Sequence, residues 1–183
     1  MKIAIPRFIA ALSIFLAGSL SLLGAGPARA AMNVVTAKAN AGLYALTLNI
    51  GPTEHMYTMQ QVKSKHVKAG EVMVSGVMVM GGSGGMGGMS GPMPNHHLEV
   101  HVLQRSTGKT ITKAMVSITI LTSAGKLVER LPIAVMYGIA AGPKDTHFGN
   151  NVALKNGKYK IVVQVNQAKT MFMVTLGAAP MSM

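Results

Sequence analysis

Short runs of period-two alternation, separated by turn residues, constrain this chain more than any other feature. Residues 43–50 place Tyr44, Leu46, Leu48 and Ile50 on one side and stop at Gly51-Pro52. Later runs repeat the pattern with Leu98, Val100 and Val102, with Val116, Ile118 and Ile120, and with Phe172, Val174 and Leu176. After the Asn156-Gly157 turn signal, Tyr159, Ile161, Val163 and Val165 alternate without a break. Side chains of an extended chain point to opposite faces in turn, so each run offers one apolar face to a core. Turns are expected at Ser106-Thr107-Gly108-Lys109, Ser123-Ala124-Gly125-Lys126 and Asn166-Gln167-Ala168-Lys169. Pro132, inside the run 127–135, requires an edge strand, a bulge or a break between two strands. No amphipathic helix stands out. The pattern predicts an all-β fold, an antiparallel Ig-like β-sandwich of about seven to eight strands over residues 42–176.

The flanks read differently. Lys2 and Arg7, the apolar residues 8–23 and the Ala28-Arg29-Ala30 motif compose a secretory signal over residues 1–30, cleaved near Ala30. The mature protein is then exported, with the periplasm as its expected location. Residues 31–41 read as an N-terminal lead and 177–183 as a tail. A chain of 183 residues allows one domain with a sizeable core. The absence of cysteine excludes disulfides, thiolate metal sites, a thiol nucleophile and covalent c-type haem. Seventeen basic and five acidic residues give a net charge of +12, but the lysines are scattered, many of them beside turns. Without an arginine cluster or an aromatic stacking platform, and with export, no nucleic-acid partner is expected.

One strand carries chemistry on its second face. In Asn95-His96-His97-Leu98-Glu99-Val100-His101-Val102-Leu103, three of the six histidines fall within six positions, and His97, Glu99 and His101 share the side opposite Leu98, Val100 and Val102. Imidazole and carboxylate together supply the lone pairs that a transition metal takes at neutral pH. Strand residues two apart are separated by roughly 6.6 Å, so His97 and Glu99 can converge on one ion. His101 becomes a supporting or alternate ligand, and His96 a further candidate. Just upstream, residues 81–94 form a Gly/Met-rich loop whose Met86, Met89 and Met93 offer soft thioethers suited to Cu(I). Met136 precedes a long loop rich in Gly, Pro, Asp and Asn, and His147 lies near its end. The competing reading is a solvated strand face and a mobile linker, in an envelope interaction or assembly module without metal. No acidic pair or Ser/His/Asp motif marks an enzyme, and none is expected.

His97-Leu98-Glu99, Met136 and the segment Asp145-Thr146-His147-Phe148-Gly149-Asn150-Asn151-Val152 ahead of Gly157-Lys158-Tyr159 resemble the bacterial periplasmic iron-transport-associated, copper-binding family. The resemblance covers roughly residues 42–176. It implies an Ig-like sandwich, often dimeric, that works beside a high-affinity inner-membrane iron permease. It also implies copper, and by extension iron, held by His97, Glu99, Met136 and His147. The expected function is therefore a periplasmic protein that handles copper or ferrous iron for transport or homeostasis.

Overall fold

The computed structural model describes residues 34–79 and 92–177. The signal segment 1–30, Met86 and Met89, and tail residues 178–183 lie outside the described residues. Eleven strands and one α-helix follow in order among the described residues. They are β1 (Val35–Ala41), β2 (Tyr44–Gly51), β3 (Met56–Thr58), α1 (Met59–Lys65), β4 (Glu71–Gly76) and β5 (His96–Gln104). There follow β6 (Val116–Thr122), β7 (Leu127–Leu131), β8 (Ala134–Gly138), β9 (His147–Val152), β10 (Gly157–Val165) and β11 (Ala168–Leu176). Seven strands form one sheet, in the order β1-β2-β5-β9-β8-β4-β3, and four form the other, β11-β10-β6-β7. Every pairing is antiparallel except β3 with β4.

The fold is the two-sheet, all-β sandwich that the alternation predicts. Leu46, Leu48 and Ile50 of β2 and Leu98, Val100 and Val102 of β5 belong to one buried cluster with Ile118, Ile120, Ile161 and Val163 of the four-stranded sheet. Burying each such side chain contributes about 1.5–3 kcal/mol, so this layer supplies most of the driving force for folding.

Four local expectations change. Residues 35–41, read as part of a lead, form β1, because Val35, Ala37 and Ala39 alternate and pack on the core. The strand count rises from seven or eight to eleven. Helix α1 is too short to show a helical period, and it is held by a capping box. The Thr58 hydroxyl accepts from the Gln61 N–H, and the Gln61 side chain accepts from the Thr58 N–H. His147 does not sit in a loop; it opens β9, whose six residues are all buried because both faces of this strand are covered. At Pro132 the chain breaks between two strands, and β7 and β8 belong to different sheets.

Candidate metal centre

Register brings the predicted ligands together on one face of the seven-stranded sheet, the face turned away from the sandwich core. In β5 the core takes Leu98, Val100 and Val102, so His97, Glu99 and His101 project from the other side. Antiparallel pairing with β9 sets His101 opposite His147, Glu99 opposite Gly149 and His97 opposite Asn151. Pairing of β9 with β8 then sets His147 opposite Met136. Gly149 leaves open the middle of this arrangement. Its backbone passes so near β5 that a Cβ would run into the Leu98 carbonyl oxygen.

The face is nevertheless buried at its centre. His147 is 0% exposed and His97 4%, and the backbone at Glu54 and Val79 covers Asn151, the cross-strand neighbour of His97. Asn151 fastens that covering: its Nδ2 donates to the Glu54 and Val79 carbonyls, and its Oδ1 accepts from the Glu54 N–H. The same Oδ1 lies 3.0 Å from His97 Nδ1. Because that oxygen can only accept, His97 carries its proton on Nδ1 and leaves Nε2 bare. His147 is fixed in the same way, with Nδ1 2.8 Å from the Asp145 carbonyl oxygen. Both bare Nε2 atoms face the cluster, and neither has a hydrogen-bond partner among the described residues.

Around these two nitrogens the other donors are carboxylate oxygens. Glu99 Oε2 lies 3.3 Å from His147 Nε2 and 3.9 Å from His97 Nε2. Glu71 Oε2, buried and likewise unpartnered among the described residues, lies 3.4 Å from His147 Nε2. His97, Glu99 and His147 each offer an atom within 4.8 Å of the others. Lone pairs facing one another at such distances repel, and a buried polar atom left unpaired costs about 1–3 kcal/mol. A cation at their centre satisfies all of them together.

Electrostatics prepare these groups unequally. Burial opposes charge on Glu99, yet hydrogen bonds from His101 and Asn49 and the adjacent imidazoles hold its carboxyl down at about 2. Burial and the negative Glu99 push Glu71 up to about 7. Burial lowers His97 and His147 despite the neighbouring acids, so both stay neutral, as a ligand must be. Burial also opposes protonation of His101. That is outweighed by its hydrogen bond to Glu99 and by the charges of Glu99 and Asp145, and its pKa rises. His101 Nε2 donates to Glu99 Oε1 at 3.1 Å, while its Nδ1 is 3.8 Å from Asp145 Oδ1. His101 thus holds Glu99 in place. A second group of donors, His101, Asp145 and His147, shares His147 with the first and so competes with it.

A cleft of about 380 Å³ opens onto the cluster, with Glu54, Glu71, His97, Glu99 and Asp145 in its lining. Four of the five acidic residues of the chain are therefore gathered at one opening, which draws cations toward it.

Of the candidate ligands, His97, Glu99 and His147 converge, Met136 lies beside His147, and His101 supports Glu99. His96 falls on the opposite side of β5 from His97, and Met93 is 64% exposed. Glu71, Asn151 and Asp145 were not among the expected site residues. The scarcity of acids was the available signal, since a strongly basic chain that keeps five acids gathers four of them here. No family model, curated protein or solved structure matches the chain, so the functional reading rests on this geometry.

Proposed function

We propose that this protein is an exported metal-binding protein that takes copper or ferrous iron at His97, Glu99 and His147, with Glu71 as a fourth donor. The observation that carries this reading is the convergence of bare, buried acceptors. Two imidazoles have their far nitrogens tied to Asn151 and the Asp145 carbonyl, and their near nitrogens meet two carboxylates. Metal-bound histidines are commonly oriented in this way by a hydrogen bond at the second ring nitrogen. Two imidazoles with carboxylates suit Fe(II) and Cu(II), and the thioether of Met136 next to His147 favours copper. Release to an inner-membrane permease is the role that fits the resemblance carried by His97-Leu98-Glu99 and the segment from Asp145 to Val152.

Equilibrium dialysis of tag-free protein against Cu(II), anaerobic Fe(II) and Zn(II) tests this. We expect one tightly held ion per chain, with copper or iron retained, and its loss in His147→Ala. No retained metal, or equal retention by His147→Ala, would overturn the proposal.

A further inference from the structure

Beside the imidazoles lies a second buried cluster of unusual composition. Met56 and Met136 are 1% and 0% exposed, and with Ala134 they form a small core against which Met73 and Met78 pack. Four of its five members are methionine. Among the described residues, the main core of the sandwich has no methionine at all; it is built from Leu, Ile, Val and a few aromatic and Ala side chains. If methionine served this fold as a flexible filler, the large core would be the place to find it. Instead the buried and half-buried thioethers gather beside the histidines, while Met59, Met93, Met115, Met171 and Met173 are exposed.

Their placement follows from register. Met73 of β4 pairs with Met136 of β8, Met136 with His147 of β9, and His147 with His101 of β5. Residues paired directly across strands have Cβ atoms about 4.5–5.5 Å apart, so one row runs from two thioethers to two imidazoles. Met56 enters from β3, where its partner is Glu71. Met78 approaches from the segment that follows β4. Met73 and Met78 are half-buried, so the cluster has an approach from solvent.

From this segregation we infer that Met56, Met73, Met78 and Met136 form a Cu(I)-binding site, separate from the His97–Glu99–His147 centre and adjoining it at the Met136–His147 pair. Thioether sulfur is neutral, soft and free of any proton to be displaced, which suits Cu(I) over the harder Fe(II). The inference deepens the metal-binding reading by assigning the reduced ion to sulfur and leaving Cu(II) or Fe(II) to nitrogen and oxygen.

The test is an anaerobic Cu(I) titration against a competing chromophoric chelator, with X-ray absorption at the copper edge. The protein is compared with the triple variant Met56→Leu, Met73→Leu, Met78→Leu. Leucine is close to methionine in volume, so the variant should keep the fold. We expect sulfur scattering around Cu(I) in the unaltered protein. In the variant, Cu(I) affinity should fall at least roughly tenfold, as for loss of a supporting group at a metal site. Cu(II) binding, read by electron paramagnetic resonance, should be unchanged. Only nitrogen and oxygen neighbours around Cu(I) in the unaltered protein would overturn the inference, a readout that needs no variant. So would unchanged Cu(I) affinity in the variant, while retained Cu(II) binding would leave the histidine centre standing. Sulfur-bound Cu(I) in a protein that holds neither Cu(II) nor Fe(II) would support the methionine site and defeat the histidine reading instead.

Discussion

The two faces of the seven-stranded sheet are built from the same strands to opposite ends. On β5, Leu98, Val100 and Val102 enter the sandwich core, while His97 and Glu99 line the cleft and His101 lies on the same outer side. On β9, Phe148 and Val152 join the core, while His147 and Asn151 serve the candidate metal centre. The inner face removes hydrocarbon from water and stabilises the fold. The outer face buries lone pairs that repel one another, which opposes folding until a cation or proton occupies their centre. Neighbouring residues on one strand therefore differ in what they contribute: one packs the core, and the next turns its donor atoms toward the candidate metal centre.

The largest expected effect separates the faces at adjacent positions. Phe148→Ala should destabilise the protein by about 3–5 kcal/mol in chemical denaturation, through lost burial and the cavity left behind. His147→Ala next to it should abolish tight metal retention at a smaller cost in stability, because it also removes an unpaired nitrogen. Equal destabilisation by both changes would break the contrast between the faces.

The next effect depends on pH. With its carboxyl raised to about 7 from the ordinary 4.5, Glu71 keeps its proton in the folded state where the unfolded chain has lost it. Its contribution to the metal-free fold therefore weakens as pH rises from 4.5 through 7, by on the order of 2 kcal/mol. Glu99 acts in the opposite sense: its carboxyl is held at about 2, and its stabilising effect is lost as pH falls from 4.5 through 2. In Glu71→Gln the loss between pH 4.5 and 7 should vanish, making the metal-free variant more stable than the parent at pH 7.5. A thermal-unfolding series across that range decides this, and parallel curves for the two proteins would refute it.

A smaller effect is expected at Asn151, which connects the covering segments to His97. Asn151→Ala frees the imidazole to rotate and leaves the Glu54 and Val79 backbone groups without their partner. Metal affinity should drop roughly 10- to 100-fold. Dialysis with the same ions measures it, and an unchanged affinity would mean that His97 is not a ligand. The smallest effect belongs to the Thr58 cap: Thr58→Ala should cost about 1 kcal/mol of stability and leave metal retention as it was.

Local chemistry explains how much of this could be read in advance. Alternation on β2, β5, β6, β10 and β11 is a property of neighbouring residues, so the sandwich and the His97–Glu99 face were legible. The meeting of His97 with His147 was not derivable from spacing, because it depends on β5 pairing with β9 in one register; only the resemblance pointed to it. Glu71 escaped because its carboxylate reaches His147 only through the order β9-β8-β4, which no local pattern in the chain reveals. Residues 147–152 read as loop because Gly, Asn and His dominate them. The structure instead buries all six, with Asn150 and Asn151 bonded to the segments that cross them. The Thr58–Gln61 capping box was in plain sight but too short to carry a helical period.

The central claim is that bare nitrogens of His97 and His147 share one ion with Glu99. Anomalous diffraction at the copper absorption edge, from crystals of tag-free protein grown with Cu(II), tests it most directly. We expect one strong peak within bonding distance of His97 Nε2, His147 Nε2 and a Glu99 oxygen, absent in His147→Ala. A peak only at His55 or His66, or no peak on this face of the sheet, would contradict it.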